Sequence, residues 1–173
     1  MFFLKGVGVG LRTYNECDFE LIFKWVNDCE TTAFMFTGQT PKTPEEVKKI
    51  YKNEFDNSSN IVFIAEDLGE EKTIGMAGLY DINPINRKAE FRILLGDSRG
   101  KGLGTEITDI IVNYGFKSLN LNRIYLGVTN ENISAIKVYE KCGFQKEGEL
   151  IDDIFRNGKY YNSIRMAIIN DRR

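Results

Sequence analysis

The sequence predicts an α/β fold of the α+β type, in which helices cover both faces of a mixed, mostly antiparallel sheet. Segments with the alternating apolar pattern of strands are interspersed with segments whose apolar residues recur at helical spacing. The last two strand-like segments meet at Asn157-Gly158, a strong signal for an antiparallel hairpin. Because 173 residues with 42% hydrophobic content can form one sizeable core, and no repeat or long linker divides them, we expect a single domain over residues 1–173.

In the first half of the chain, two helices lie between the first strand and the next three. Glycines at positions 6, 8 and 10 indicate a flexible entry to a strand over residues 7–13, and a helix over residues 18–27 has apolar residues at helical spacing. Thr43-Pro44-Glu45-Glu46 is a capping box with proline at the first helical position, so a second helix should run to about Phe55. Strands follow over residues 61–66, 73–80 and 87–95, separated by turn signals at Leu68-Gly69 and Asn83-Pro84.

The second half continues the alternation of helix and strand up to the hairpin. A third helix opens at Leu103, because apolar residues recur on one face as far as Tyr114. A strand over residues 123–129 precedes a short helix over residues 132–142, which Gly143 ends. The hairpin strands cover about 145–155 and 159–169.

A glycine turn between a strand and a helix is the most informative local feature. The turn Arg99-Gly100-Lys101-Gly102-Leu103-Gly104-Thr105 follows the apolar run 89–95 and opens the third helix. Free N–H groups and the positive end of the helix dipole suit such a turn to hold a phosphate or pyrophosphate, although an ordinary structural turn has the same composition. A Walker loop and a dinucleotide fingerprint both fail, because Lys101 is followed by glycine and the three glycines alternate.

Two motifs in order make the chain resemble the GNAT superfamily of acyl-CoA-dependent N-acetyltransferases. The pattern R/Q-x-x-G-x-G/A is met by Arg99, Gly102 and Gly104, and residues 130–144 match a later Asn-x-x-Ala motif with a tyrosine and a closing Gly-Phe. The resemblance extends over nearly the whole chain. It implies acetyl-CoA as co-substrate and two central strands that splay apart, with the pantetheine arm of the cofactor in the gap.

The resemblance also implies where the cofactor and its thioester are held. The cradle for the pyrophosphate would be formed by main-chain contacts, and its residues are Arg99, Gly100, Lys101, Gly102, Leu103, Gly104 and Thr105. The backbone of Leu94, five residues before Arg99, matches the donor that polarises the thioester carbonyl, while its side chain should be core. Asn132 matches a cofactor-side asparagine, and it is equally suited to cap a helix.

Two side chains are candidates for proton transfer. Tyr139 matches the family's acid, which protonates the departing thiolate, whereas a tyrosine on an apolar helix face is otherwise core. Glu90 is the best candidate base for the amine, because alternation places it with Arg92 and Leu94 on one strand face. It is equally a structural residue or an ion-pair partner of Arg92 or Arg87, and a water is an alternative base.

Composition excludes several other classes of function. The chain has no histidine, so it can build neither a Ser-His-Asp or Cys-His nucleophile nor a histidine-containing zinc site, and Cys142 has no histidine to activate it. The three cysteines lack metal spacing and suit reduced cytoplasmic thiols, so we expect no metal. A net charge of −2 argues against a nucleic-acid partner. The absence of a long apolar run or a leader predicts a soluble cytoplasmic protein without a membrane partner.

The acceptor amine is less well specified by the sequence than the reaction. The chain is most similar to spermidine N-acetyltransferases and to Rim-type N-terminal acetyltransferases of ribosomal proteins, the former through residues 82–91 and 155–160. The loop 34–43 contains no carboxylate, so we expect spermidine to be a poor substrate beside an amino sugar, unless Glu30, Glu54 or Asp81 supply the acidic site. A peptide N-terminus is an alternative acceptor, and a non-catalytic acyl-CoA-binding module is an alternative function. The sequence also leaves open whether the protein forms a homo-oligomer and whether it has a regulatory polyamine site.

Overall fold

The computed structural model describes residues 1–36, 38–96 and 101–171, which form one eight-stranded sheet and four helices. The strands are β1 Leu4–Lys5, β2 Val9–Arg12, β3 Ile61–Asp67, β4 Lys72–Asn83, β5 Lys88–Leu95, β6 Arg123–Thr129, β7 Gln145–Arg156 and β8 Lys159–Ile169. The helices are α1 Asp18–Val26, α2 Pro44–Asp56, α3 Leu103–Lys117 and α4 Ile133–Lys141. The strand order is β1-β2-β3-β4-β5-β6-β8-β7.

Local signals placed most of these elements correctly. Thr43 forms the predicted capping box at the start of α2, where its hydroxyl accepts from the N–H of Glu46 and the Glu46 carboxylate accepts from the N–H of Thr43. Asn157 and Gly158 both have positive φ, 51° and 78°, as the predicted hairpin turn requires. The glycine-rich entry to the first strand is instead a turn, because the short strand β1 precedes it and pairs antiparallel with β2.

The helices cover both faces of the sheet, as predicted. On one face, α3 and α4 bury a cluster that includes Ile107, Ile111 and the sheet residue Phe91. On the other face, α1 and α2 cover a second cluster that includes Trp25 and the sheet residue Leu94. Phe91 and Leu94 of β5 enter opposite clusters, as the alternation of side chains along a strand requires. The predicted placement of Glu90, Arg92 and Leu94 on one face is therefore confirmed, and that face is the one covered by α1 and α2.

The sheet opens between its two central strands. β5 and β6 form its parallel pair, and their register covers only three positions, ending at Glu90 opposite Tyr125. Beyond that point β5 continues to pair with β4 as far as Leu95, and β6 continues to pair with β8 as far as Thr129. Residues 91–95 therefore present an edge of main-chain groups toward a gap, which is the predicted splay.

Among the described residues, every helix is too short or too polar to cross a membrane.

Candidate active site

The edge of β5 that borders the gap contains Leu94. Its side chain is 7% exposed and packs in the α1–α2 cluster beside Met76, so it is core as predicted. The backbone of Leu94 lies four residues beyond the last β5–β6 pair, within the segment that has no partner on the β6 side. The Leu94 carbonyl faces Gly75 of β4, so the main-chain groups of Leu94 point toward β4, and those of its neighbours in residues 91–95 border the gap. Leu94 as the donor to the thioester therefore stays a prediction that this geometry does not favour.

The N-terminus of α3 has the geometry of an anion site. Gly102 is its N-cap, with a left-handed φ of 79°, and a Cβ built there would meet no other described residue within 4 Å. Thr105 and Glu106 donate their N–H groups to the Gly102 carbonyl, at 3.1 and 3.2 Å. Within the described part of the chain, the N–H groups of Leu103 and Gly104 donate no hydrogen bond, so they are available to a phosphate.

The charged residues of the predicted cradle differ from the expectation in one respect. Lys101 does not point its charge into open space: its ammonium pairs with Glu70 and lies 3.3 Å from the carboxylate of Asp67. Asp67 is buried and also accepts from the N–H groups of Gly69 and Glu70, so it anchors the β3–β4 turn. Lys101 therefore holds the loop to that turn. Arg99 and Gly100 lie outside the described residues.

Tyr139 lies on α4 and packs into the α3–α4 side of the sheet. Its ring meets Phe91 edge-on, with ring centroids 6.2 Å apart, and lies 5.9 Å from the ring of Phe144. Burial raises the pKa of Tyr139 to about 12, with a smaller contribution from Cys142. The hydroxyl is therefore protonated at neutral pH. Because Phe91 is the first residue past the last β5–β6 pair, the tyrosine stands at the opening of the gap.

Asn132 is the N-cap of α4. Its side-chain oxygen accepts from the N–H of Ala135 at 3.2 Å and from the hydroxyl of Ser134 at 3.1 Å. The predicted alternative, in which Asn132 caps a helix, is therefore correct for its side-chain oxygen. The role of Asn132 beside the cofactor stays a prediction.

Glu90 faces the opposite side of the sheet and is paired with Arg92. The Nε and Nη2 atoms of Arg92 donate to the same oxygen of Glu90, at 2.9 and 2.6 Å. Arg87, the other predicted partner, instead donates to Asn120. Of the two ion pairs that the sequence allowed, the structure forms the one with Arg92.

Two further carboxylates join this ion pair, and both were named from sequence only as alternatives to an acidic loop. Asp81 of β4 lies 3.5 Å from Arg92. Burial raises the pKa of Glu54, on α2, while the charge of Arg92 and a hydrogen bond with Tyr80 oppose that rise. We call Glu54, Asp81 and Glu90, together with Arg92, the acidic cluster. Glu30 lies in the turn after α1.

The loop that lacks carboxylates covers the same side of the sheet as the acidic cluster. The hydroxyl of Thr129 donates to the Phe34 carbonyl at 2.9 Å, and Arg156 donates to the carbonyls of Thr32 and Met35. A Cβ at Gly127 would lie 2.9 Å from the ring of Phe36, so the glycine allows the loop to lie close against β6. The loop contributes backbone and aromatic groups there, and Thr37 lies outside the described residues.

The candidate catalytic groups thus lie on opposite sides of one gap. Tyr139 approaches it from the α3–α4 face, and Glu90 lies at its start on the α1–α2 face. A thioester in the gap would have an acid on one side and a carboxylate on the other, with the free edge of β5 between them. That arrangement suits acyl transfer to an amine.

An acyl-CoA-dependent N-acetyltransferase is the class of enzyme that this fold and gap define, and comparison with known proteins agrees. The model of the acetyltransferase (GNAT) domain family matches residues 9–145, so the chain belongs to that family. It uses acetyl-CoA to acetylate a primary amine.

Two curated relatives and one solved structure are similar over almost the whole chain. Spermidine N(1)-acetyltransferase of Escherichia coli K12 is 35% identical over 161 residues, covering 92% of this chain and 85% of the relative. The Vibrio cholerae spermidine N(1)-acetyltransferase is 32% identical over 163 residues, covering 94% and 93%. A crystal structure of spermidine N-acetyltransferase from V. cholerae with CoA and spermine superposes with a TM-score of 0.85 at 32% identity, covering 94% of this chain and 95% of that one.

Proposed function

We propose that the acceptor is a polyamine such as spermidine, and that it attacks acetyl-CoA directly in a ternary complex. The observation that carries this proposal is the acidic cluster beside the start of the strand gap, in which Glu90 and Asp81 pair with the Arg92 guanidinium. The third carboxylate, Glu54, lies close enough for the charge of Arg92 to lower its pKa. The cluster's excess of negative charge attracts an acceptor with several ammonium groups. The similarity to spermidine N-acetyltransferases supports the same substrate class.

The chemistry assigns one role to each group that borders the gap. A polyamine's primary amine is protonated at neutral pH, with a pKa near that of lysine, about 10.4, so one proton must leave before attack. Glu90 takes that proton, directly or through a water. The nitrogen then attacks the thioester carbon, and a backbone N–H on the edge of β5 that faces the gap stabilises the oxyanion.

Collapse of the tetrahedral intermediate completes the transfer. The C–N bond is kept and the C–S bond breaks, so the leaving group is the thiolate of CoA. Tyr139, whose pKa is raised to about 12 by burial, still carries its proton at neutral pH and gives it to the sulfur. The nitrogen loses its second proton as the amide forms, which reprotonates Tyr139 through water, and Glu90 releases the first proton to solvent. The products are the N-acetylated amine and CoA, and the N-terminus of α3 holds the pyrophosphate throughout.

Because the loop 34–43 contains no carboxylate, the sequence led us to expect a monoamine as the better acceptor. The acidic cluster reverses that expectation. The test measures kcat/KM with acetyl-CoA for spermidine, glucosamine and a short peptide with a free N-terminus, each at low and high salt. We expect spermidine to be the best acceptor by roughly tenfold and to lose efficiency as salt screens the carboxylates. Equal efficiency for glucosamine or the peptide, without salt dependence, would contradict the polyamine proposal.

A further inference from the structure

Arg92 pairs directly with Glu90, the residue proposed to take the proton of the acceptor amine. Its guanidinium donates twice to one oxygen of Glu90 and lies 3.5 Å from Asp81. It also stacks on Tyr80, with 4.6 Å between the guanidinium carbon and the ring centroid. The acidic cluster is thus already occupied by a cation that belongs to the protein.

The surroundings of that guanidinium are those that recognise an alkylammonium group. A carboxylate oxygen of Glu90 accepts its hydrogen bonds, and the face of the Tyr80 ring attracts its charge. Tyr80 is 3% exposed and is fixed opposite Glu90 by the register of β4 and β5, so the ring face is a rigid part of the site. A protonated amine of the acceptor would seek the same contacts.

Arg92 is also able to leave. Its side chain is 47% exposed, whereas that of Glu90 is 17% exposed, so the guanidinium covers a more buried carboxylate from the solvent side. The guanidinium can therefore turn from Glu90 toward solvent, which would leave the carboxylate open to another cation.

We infer that Arg92 determines acceptor specificity: it takes the place that a second ammonium group of a polycation would occupy, and so restrains the preference for highly charged acceptors. The inference rests on the proposed function. With Arg92 in place, a polyamine brings its second charge toward a like charge, or displaces the guanidinium from Glu90. A monoamine has no second charge, so Arg92 affects it much less.

The test compares Arg92→Gln with the wild-type enzyme on spermidine and on glucosamine. Glutamine removes the positive charge and keeps a polar side chain of moderate length. We expect kcat/KM for spermidine to rise about tenfold and to become more sensitive to salt, because an uncompensated carboxylate is gained at the site. The change for glucosamine should be much smaller than the change for spermidine, and the KM for acetyl-CoA should not change.

Two matched variants separate charge at this position from other effects. Arg92→Lys keeps the charge and loses the planar fork, so its spermidine efficiency should stay near that of the wild type. Lys72→Gln removes the same charge at the β3–β4 turn, where Lys72 pairs with Glu70, and should change neither acceptor. A rise with Lys72→Gln equal to that with Arg92→Gln would overturn the inference, because net charge alone would explain it.

A distinct outcome would assign Arg92 to a different role. If Arg92→Gln lowers kcat equally on both acceptors, the arginine serves to position Glu90, and the specificity role is wrong. If the wild type acetylates glucosamine and ignores spermidine, the polyamine proposal fails by itself. In that case a gain of spermidine turnover in Arg92→Gln would still support the inference, and no gain would overturn it.

Discussion

At the scale of single residues, burial among aromatic rings keeps Tyr139 protonated, as its proposed role as the acid requires. An exposed tyrosine has a pKa of about 10, close to that of the amine substrate. The apolar surroundings supplied by Phe91 and Phe144 disfavour the phenolate and raise the pKa to about 12. The Tyr139 hydroxyl thus keeps its proton at a pH at which the acceptor amine begins to lose its own. Tyr139 is therefore suited to donate a proton and not to accept one.

Tyr139→Phe should keep the fold and acetyl-CoA binding while lowering kcat on the order of 10²-fold, because it removes a positioned general acid and little else. Steady-state rates at saturating substrates provide the measurement. In the wild type, kcat should show no loss from Tyr139 deprotonation between pH 7 and 10, since its pKa is about 12. An unchanged kcat in the variant would mean that Tyr139 is only a core residue.

Gly102→Val should abolish acetyl-CoA binding, because the side chain would fill the open space beside the free N–H groups of α3. Any residue other than glycine is also strained at a φ of 79°, by roughly 1–2 kcal/mol. Gly158→Val is the matched control: it has a φ of 78° and equally open surroundings, but it lies in the β7–β8 turn. Calorimetric titration with acetyl-CoA should show binding by the control alone, and normal binding by Gly102→Val would show that the cradle is misplaced.

At the scale of elements, the capping box of α2 stabilises the helix that contributes Glu54 to the acidic cluster. Thr43→Ala should lower the free energy of unfolding by about 1 kcal/mol, because the N–H of Glu46 loses its acceptor. Urea denaturation measures this loss, with Thr40→Ala, an exposed loop position, as the control. Equal stabilities of the two variants would mean that the cap contributes nothing.

The sequence predicts elements with strong local signals and misses what depends on register. The alternation along β5 correctly put Glu90 and Arg92 on one face, and glycine turns located α3 and the β7–β8 hairpin. β1 is too short to produce a pattern, since it has only two residues. Tyr80 and Asp81 reach the ion pair because Tyr80 lies opposite Glu90 in the β4–β5 register, and no local signal specifies that register. The acidic cluster could therefore not be assembled from sequence.

At the scale of the whole molecule, the groups proposed for the two halves of the reaction lie on different sides of the sheet. The N-terminus of α3 and Tyr139 lie with the α3–α4 cluster, whereas Glu90 and its partners lie with α1 and α2. The chain's net charge is only −2, so attraction of a polyamine depends on where the carboxylates are placed and not on overall charge. In the proposed mechanism the co-substrate and the acceptor thus approach the gap from opposite faces.

Because the cradle lies on the α3–α4 side, acetyl-CoA should stabilise the protein without any acceptor present. A ligand that binds only the folded state adds RT ln(1 + [L]/Kd), about 2.7 kcal/mol at a concentration one hundred times Kd. For a chain of 173 residues this corresponds to a rise of about 5–10 °C in the thermal midpoint. NAD and ATP at the same concentration should produce a much smaller rise, since the glycine spacing fits neither a dinucleotide fingerprint nor a Walker loop. Differential scanning fluorimetry makes the comparison, and spermidine alone should not reproduce the effect of acetyl-CoA. A rise of equal size with ATP would show that the site recognises a nucleotide phosphate in general, and would count against an acyl-CoA cradle at the N-terminus of α3.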